Sequence, residues 1–370
     1  MWSVDHGEFV MRHIKGFVFG LVFLAVGAIW LGSSGCNADK PTQSTVPKDY
    51  PVYSWDCNLE EVYLAYHPTT NQIDTFPVSI PRPLTWNGLF ASADGASLYF
   101  SLGSSVAILD LASNSLIDSL PYKAVLAVSP DNRLIAVRDD LGFYILNTSD
   151  YSEVFHDTDF VLQGTFSTSS TGFYANCYSD AGVPSRYYVC YVDLADTLLP
   201  VVRVPFDDGA LMEIMPSLDE TKWFLCLAYE ECHTYFEVYD VSTDSIVFED
   251  EIGAGLGELE MSVDGRYVFY ATPGSDHDLC LPPPRSIKVY DVLGNSIHCD
   301  ISTTGVFDPP HDDYGVPVGN MCATPDGRSL VATGSPGYYF LVVDIESMSI
   351  TRYLSLSSSE IYCITGQIAP

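Results

Sequence analysis

Along most of the chain, short apolar-polar alternations end in tight polar turns. This period of two predicts β-strands throughout and no long helix. One turn-strand unit recurs six times: "SADGASLYF" from 92, "SPDNRLIAV" from 129, "SSTGFYANC" from 169, "SLDETKWFL" from 217, "SVDGRYVFY" from 262 and "TPDGRSLVA" from 324. In such a turn Asp accepts backbone hydrogen bonds, and Gly takes the positive φ that a hairpin needs. A second unit follows each: "VAILDLASNSL" (106), "FYILNTSDYSEV" (143), "YVCYVDLADTLL" (188), "FEVYDVSTDSI" (236), "IKVYDVLGNSI" (287) and "FLVVDIESMSI" (340). Here a strand runs into an acid, a polar turn and another strand.

The acids Asp110, Asp193, Asp240, Asp291 and Asp344 each precede an aliphatic residue by six positions, and Asn147 fills the place in the shorter third unit. As a series they read as structural turn caps rather than catalytic carboxylates. They recur every 37 to 53 residues, the period of a four-stranded propeller blade that cannot bury its faces alone. The segment 50–78 carries three strands and lacks an inner one, with His67 and Ile73 at the acid and aliphatic positions. "EIYCITGQI" (360–368) matches the missing inner strand. The expectation is all-β: a ring of seven four-stranded antiparallel blades over 50–370, closed by the C-terminal strand and free of exposed sheet edges.

The "PDG" turns and the "VYDV" and "VVDI" strands resemble the YVTN-repeat and WD-repeat-like seven-bladed β-propellers of exported bacterial proteins. The resemblance covers residues 50 to 370, without the "GH…WD" signature. It implies the architecture but no single activity, because that fold hosts lactonases, dehydrogenases, lyases and plain binding platforms.

Residues 16–32, "GFVFGLVFLAVGAIWLG", are the one long apolar run, preceded by Arg12, His13 and Lys15 and followed by "SSGC". This order reads as a bacterial signal peptide over 1–36, with translation starting at Met11 because Asp5 and Glu8 do not suit a cationic start. "GSSGC" resembles a lipobox, departing from it at Ser33, and places Cys36 for lipidation. Several acyl chains there would tether the protein stably to a membrane. Plain secretion, or a retained anchor of 17 residues at the lower limit for spanning, are the alternatives. Residues 37–49 read as a flexible tether. The expected location is the bacterial cell envelope, as an outer-membrane or periplasmic lipoprotein, or the exterior.

The formal charge of -32 excludes a phosphate-gripping nucleic-acid binder and an electrostatic hold on anionic lipid. Membrane contact is therefore expected only through the leader or lipid. Two long insertions, "TPGSDHDLCLPPPRS" (272–286) and "TTGVFDPPHDDYGVPVGN" (303–320), bring Asp276, His277, Asp278, Asp308, His311, Asp312 and Asp313 to one loop face. "YEECH" (229–233), "FDDG" (206–209) and "HDTD" (156–159) add to that face. Carboxylates with imidazoles suit a divalent cation such as calcium, although no cofactor is predicted outright. No haem-attachment, zincin, nucleophile-elbow or Walker motif is present in the sequence.

Ten cysteines in an exported chain allow disulfides. Cys177 with Cys190, Cys226 with Cys232, and Cys280 with Cys299 are the candidate pairs; buried thiols are the alternative. The leading reading is a monomeric, non-catalytic binding or scaffold module that recognises a protein or cationic ligand through its acidic loop face. A metal-assisted hydrolase or lactonase-like enzyme using residues 276–278 and 308–313, and a structural subunit of an envelope assembly, are the alternatives.

Overall fold

A computed structural model describes residues 50–56, 62–77, 89–179, 186–196, 201–206, 210–230, 233–253, 258–271, 286–303, 318–334, 339–355 and 361–366. Among these, every regular element is a strand. Blade 1 is built on β1 (Val52–Asp56), β2 (Val62–His67) and β3 (Gln72–Pro77). Blade 2 holds β4 (Leu89–Ala91), β5 (Ser97–Ser101), β6 (Val106–Asp110) and β7 (Ser115–Leu120). Blade 3 comes next with β8 (Ala124–Val128), β9 (Leu134–Arg138), β10 (Phe143–Asn147) and β11 (Glu153–Asp157). Blade 4 comprises β12 (Phe160–Phe166), β13 (Gly172–Ser179), β14 (Arg186–Asp193) and β15 (Val201–Phe206).

In blade 5 the strands are β16 (Ala210–Pro216), β17 (Lys222–Glu230), β18 (His233–Asp240) and β19 (Ser245–Gly253). Blade 6 has β20 (Glu258–Met261), β21 (Tyr267–Ala271), β22 (Ser286–Asp291) and β23 (Ser296–Ser302). Blade 7 has β24 (Val318–Ala323), β25 (Ser329–Gly334), β26 (Tyr339–Asp344) and β27 (Ser349–Ser355). Finally β28 (Ile361–Gly366) pairs antiparallel with β1 through Val52↔Gly366, Tyr53↔Thr365 and Ser54↔Ile364. The seven sheets each have four strands in simple meander order, blade 1 reading β28-β1-β2-β3.

Strands such as β8 and β21 are buried along their whole length, apolar on both faces. A single sheet cannot cover both faces, so each blade packs against two neighbours. Seven apolar clusters result, one at each junction around the ring. The closing junction joins Val52, Leu64 and Tyr66 of blade 1 to Val331, Phe340 and Val342 of blade 7. There Tyr66 stacks on Phe340 at 4.5 Å.

The first turn of blades 2 to 7 is one motif repeated. A hydroxyl, Ser92, Ser129, Ser167, Ser217, Ser262 or Thr324, accepts the backbone N–H five residues on. The residue three after it has positive φ: Gly95, Asn132, Ser170, Glu220, Gly265 and Gly327. In blade 4 this sets the register two residues before the one expected from the sequence repeat. The turn is 167–170, with Ser169 in the Asp position and Ser170 (φ 58) in the Gly position. The glycine of "STG" imitates the turn glycine of the other blades without taking its place.

The turns also touch around the ring. Asn132 Nδ2 donates to Asp94 Oδ2 at 3.1 Å, Asp131 N to Ser170 Oγ at 3.2 Å, and Ser169 Oγ to Glu220 Oε1 at 2.9 Å. Leu218 then covers Gly265, where a Cβ would meet its Cδ1 at 2.4 Å.

The recurring acids cap the second turn. Asp110 Oδ1 accepts Ser113 N, Asp193 accepts Ala195 N and Asp196 N, and Asp240 accepts Ser242 N and Thr243 N. Asp291 accepts Leu293 N and Gly294 N, and Asp344 accepts Ser347 N. Hydrogen bonds, chiefly from Ser113, Ser242 and Ser347, hold the carboxyls of Asp110, Asp240 and Asp344 below the usual range.

Replacing Ser262, which is buried, by Ala removes the acceptor of Tyr267 N (2.9 Å) and the donor to Asp264 Oδ1 (2.7 Å). Leaving a buried amide unmatched should cost about 1–3 kcal/mol in denaturant unfolding. An unchanged midpoint would show that the turn is held by its backbone alone.

Candidate functional site

The inner strands surround a cavity of about 550 Å³ along the axis, lined by residues of β4, β8, β12, β16, β20 and β24. Pro130, Thr168, Leu218 and Val263, from the repeated turns, form part of its lining at one end. Deeper in, the lining is lopsided. Blades 2 and 3 contribute apolar residues to the lining, among them Leu89, Phe90 and Val125. Blades 4 to 7 offer Gln163, Glu213, Glu258 and Asn320, each four residues before its turn hydroxyl, with Glu260 two residues further along β20. At a strand rise of about 3.3 Å this polar belt lies roughly 13 Å from the turns.

Two of the strands that carry the belt are locally irregular. Register shifts fall between Val161 and Gln163 and between Leu211 and Glu213, so an extra residue bends each inner strand and re-aims the side chains beyond it. Asn176, fully buried in β13, ties the two strands together. Its Oδ1 accepts Gln163 N at 2.6 Å, and its Nδ2 donates to Leu211 O and Met212 O at 3.1 and 2.9 Å. The Gln163 Oε1 has no hydrogen-bond partner.

Each glutamate also latches onto the next blade. Glu213 Oε2 accepts Leu259 N at 2.8 Å, Glu258 Oε1 accepts Asn320 Nδ2 at 3.1 Å, and Glu260 Oε1 accepts Ala323 N at 2.8 Å. No Lys, Arg or His is among the described lining residues.

Three carboxyls in a confined space without a counter-charge resist ionisation. Burial raises the Glu258 carboxyl to about 7 against the opposing Asn320 bond. Burial likewise lifts Glu260 to about 7, the Ala323 amide opposing and the Glu258 charge adding. Glu213 is pushed well above the carboxylate range by burial, then by Glu258 and Glu260. The belt therefore changes charge near neutral pH.

The sequence-predicted acidic cluster, Asp276, His277, Asp278, Asp308, His311, Asp312 and Asp313, lies outside the described residues, as does Cys36. Of the accompanying segments, His156 stacks on Tyr144 at 4.3 Å, Tyr229 donates to Glu237 Oε1 at 2.6 Å, and His233 Nδ1 lies 2.7 Å from Glu251 Oε1.

The sequence pairs Cys177 with Cys190, with buried thiols as the alternative. Both thiols are free and buried. Cys177 pairs with Tyr188 and Cys190 with Ala175, so the two are diagonal rather than opposite. Cys226 and Cys299 are free as well; their expected partners, Cys232 and Cys280, lie outside the described residues.

No protein-family model and no curated protein matches the chain. Solved structures do. A functionally unknown protein from Desulfotomaculum acetoxidans aligns with a TM-score of 0.58 at 10% identity, over 85% of this chain and 98% of that one. Kuenenia stuttgartiensis hydrazine synthase gives 0.55 at 16% identity, over 70% and 76%. The β-propeller domain of Myceliophteria thermophila Cps50 (Swd1) gives 0.55 at 12% identity, over 75% and 88%. At these identities the likeness is one of fold. With the seven closed sheets it defines the class: the chain is a seven-bladed β-propeller. A fold alone selects no activity.

The belt predicts a pH dependence of stability. A carboxyl raised in the folded state binds its proton more tightly there than in the unfolded chain. Its stabilising contribution is complete below the unfolded value near 4.5 and is lost as pH rises through about 7. Glu237, raised by burial, acts in the same direction. Glu258→Gln and Glu260→Gln should each stabilise the protein by roughly 3 kcal/mol at pH 8 and by little at pH 5, read by calorimetry. Equal effects at both pH values would show that these carboxyls titrate normally.

Proposed function

We propose that this protein is a non-catalytic binding propeller that holds a cationic group, an amine or guanidinium, in the polar arc of its axial cavity. One observation carries the reading: Glu213, Glu258 and Glu260 line the same cavity wall with no cationic side chain among the described residues around them. A ligand cation would relieve their mutual repulsion, and the apolar wall of blades 2 and 3 would take its hydrocarbon part. The cavity volume, about 550 Å³, is within the range of small-ligand sites.

The acidic connections carrying residues 276–278 and 308–313 would add long-range attraction for the same charge. The leader and Cys36 support export and a lipid tether. The repeated turns support membership of the YVTN-like propellers of cell envelopes, acting as a monomer.

Spermidine and arginine amide serve as probes in calorimetric titration. Binding is expected at pH 8, weakened at least tenfold at pH 6 as the belt protonates. It should be lost in the Glu213→Gln/Glu258→Gln double variant. Binding that survives this variant, or is absent at pH 8, overturns the cavity reading. The tether is tested separately by intact mass: envelope-extracted protein should begin at an acylated Cys36, and an unmodified mature N-terminus would replace the tether by plain secretion.

A further inference from the structure

One group of metal-ligating side chains stands together among the described residues. Asp159, Cys177 and Cys190 each place one ligand atom so that all three lie within 4.8 Å of one another. The arrangement comes from the sheet. Cys177 and Cys190 sit diagonally on β13 and β14, on one face, because Cys177 opposes Tyr188 and Cys190 opposes Ala175. Both are completely buried within the cluster between blades 3 and 4, beside Val161 and Tyr188.

Asp159 lies in the connection leading into β12, which pairs Val161 with Cys177. Its own N–H donates to Asp157 Oδ1 at 3.1 Å, a turn that fixes the backbone next to the thiols. Unlike them, Asp159 is partly exposed, so it bridges the apolar junction and solvent.

We propose that Asp159, Cys177 and Cys190 form a site for a thiophilic d¹⁰ cation of the zinc kind, with a fourth position open to water or an external ligand. Two thiolates on one tetrahedral zinc stand roughly 3.8 Å apart, and a thiolate and a carboxylate oxygen roughly 3.6 Å, from bond lengths of about 2.3 and 2.0–2.2 Å. The three ligand atoms, all within 4.8 Å of one another, stand close to these separations. Two sulfurs and one oxygen select a borderline-to-soft ion over calcium or magnesium. Each thiol releases its proton to solvent as its sulfur–metal bond forms. The site sits at a blade junction, so a bound ion would tie blade 3's outgoing chain to blade 4.

The test uses the full folded chain, reduced and stripped of metal, titrated with Zn²⁺ and, for its spectrum, Co²⁺. One equivalent is expected to bind. The cobalt form should show thiolate charge-transfer absorption and visible bands of tetrahedral intensity, and Zn²⁺ should raise Tm in proportion to its occupancy.

Cys190→Ser should abolish the charge-transfer band, while Cys226→Ser leaves it unchanged. Asp159→Asn, at a position outside the packed core, should weaken binding at least tenfold and keeps the test decisive if the Cys190 variant misfolds. The proposal is overturned by any of three results: no uptake by the reduced protein, uptake indifferent to Asp159→Asn, or thiol counts showing Cys177 and Cys190 joined as a disulfide in protein purified without reductant.

Discussion

Among the described residues, each sheet buries apolar side chains against the sheets on either side of it. That constraint determines the rest. A row of such sheets has two uncovered ends, and the only arrangement without ends is a circle. Tyr66 on Phe340 is where the circle is completed. The axial cavity is its geometric by-product, because sheets fanned around a common axis splay apart at their outer strands and converge without meeting at their inner ones.

Much of this is readable from the chain. The turn hydroxyl and the residue of positive φ repeat in six blades, and the acid two residues after the hydroxyl in five of them, because one hydrogen-bonded loop solves the same problem each time. Asp110 and its counterparts repeat for the same reason. The exception in blade 4 is instructive. Ser170 takes a left-handed conformation that composition favours for Gly172, and only the strand register, Gly172 opposite Asp193, reveals the shift.

The polar belt is harder to see. Its residues are unlike one another, Gln163, Glu213, Glu258 and Asn320, and no motif joins them. Counting back four places from each turn hydroxyl exposes them, since a glutamate in an otherwise apolar inner strand such as "ALMEIMP" has no ordinary reason to be there. The long acidic connections dominate the charge pattern instead, and there charge is plentiful and uninformative. The thiols mislead in another way. Cys177 and Cys190 are near-symmetric about their hairpin loop, which suggests facing partners. The actual register offsets them by two residues, a displacement no spacing rule on one strand can show.

The inner place in blade 1 is filled by β28, whose residue Gly366 lies opposite Val52. Nearly the whole intervening chain must be arranged before that partnership can exist, so it belongs to the slowest and least local step of folding. Until it forms, β1 offers a bare inner edge that any other extended chain could occupy. A newly made molecule is therefore at its most vulnerable to mispairing just before completion. Protection by a chaperone at that stage, more than any gain in final stability, would decide how much of it reaches the finished ring.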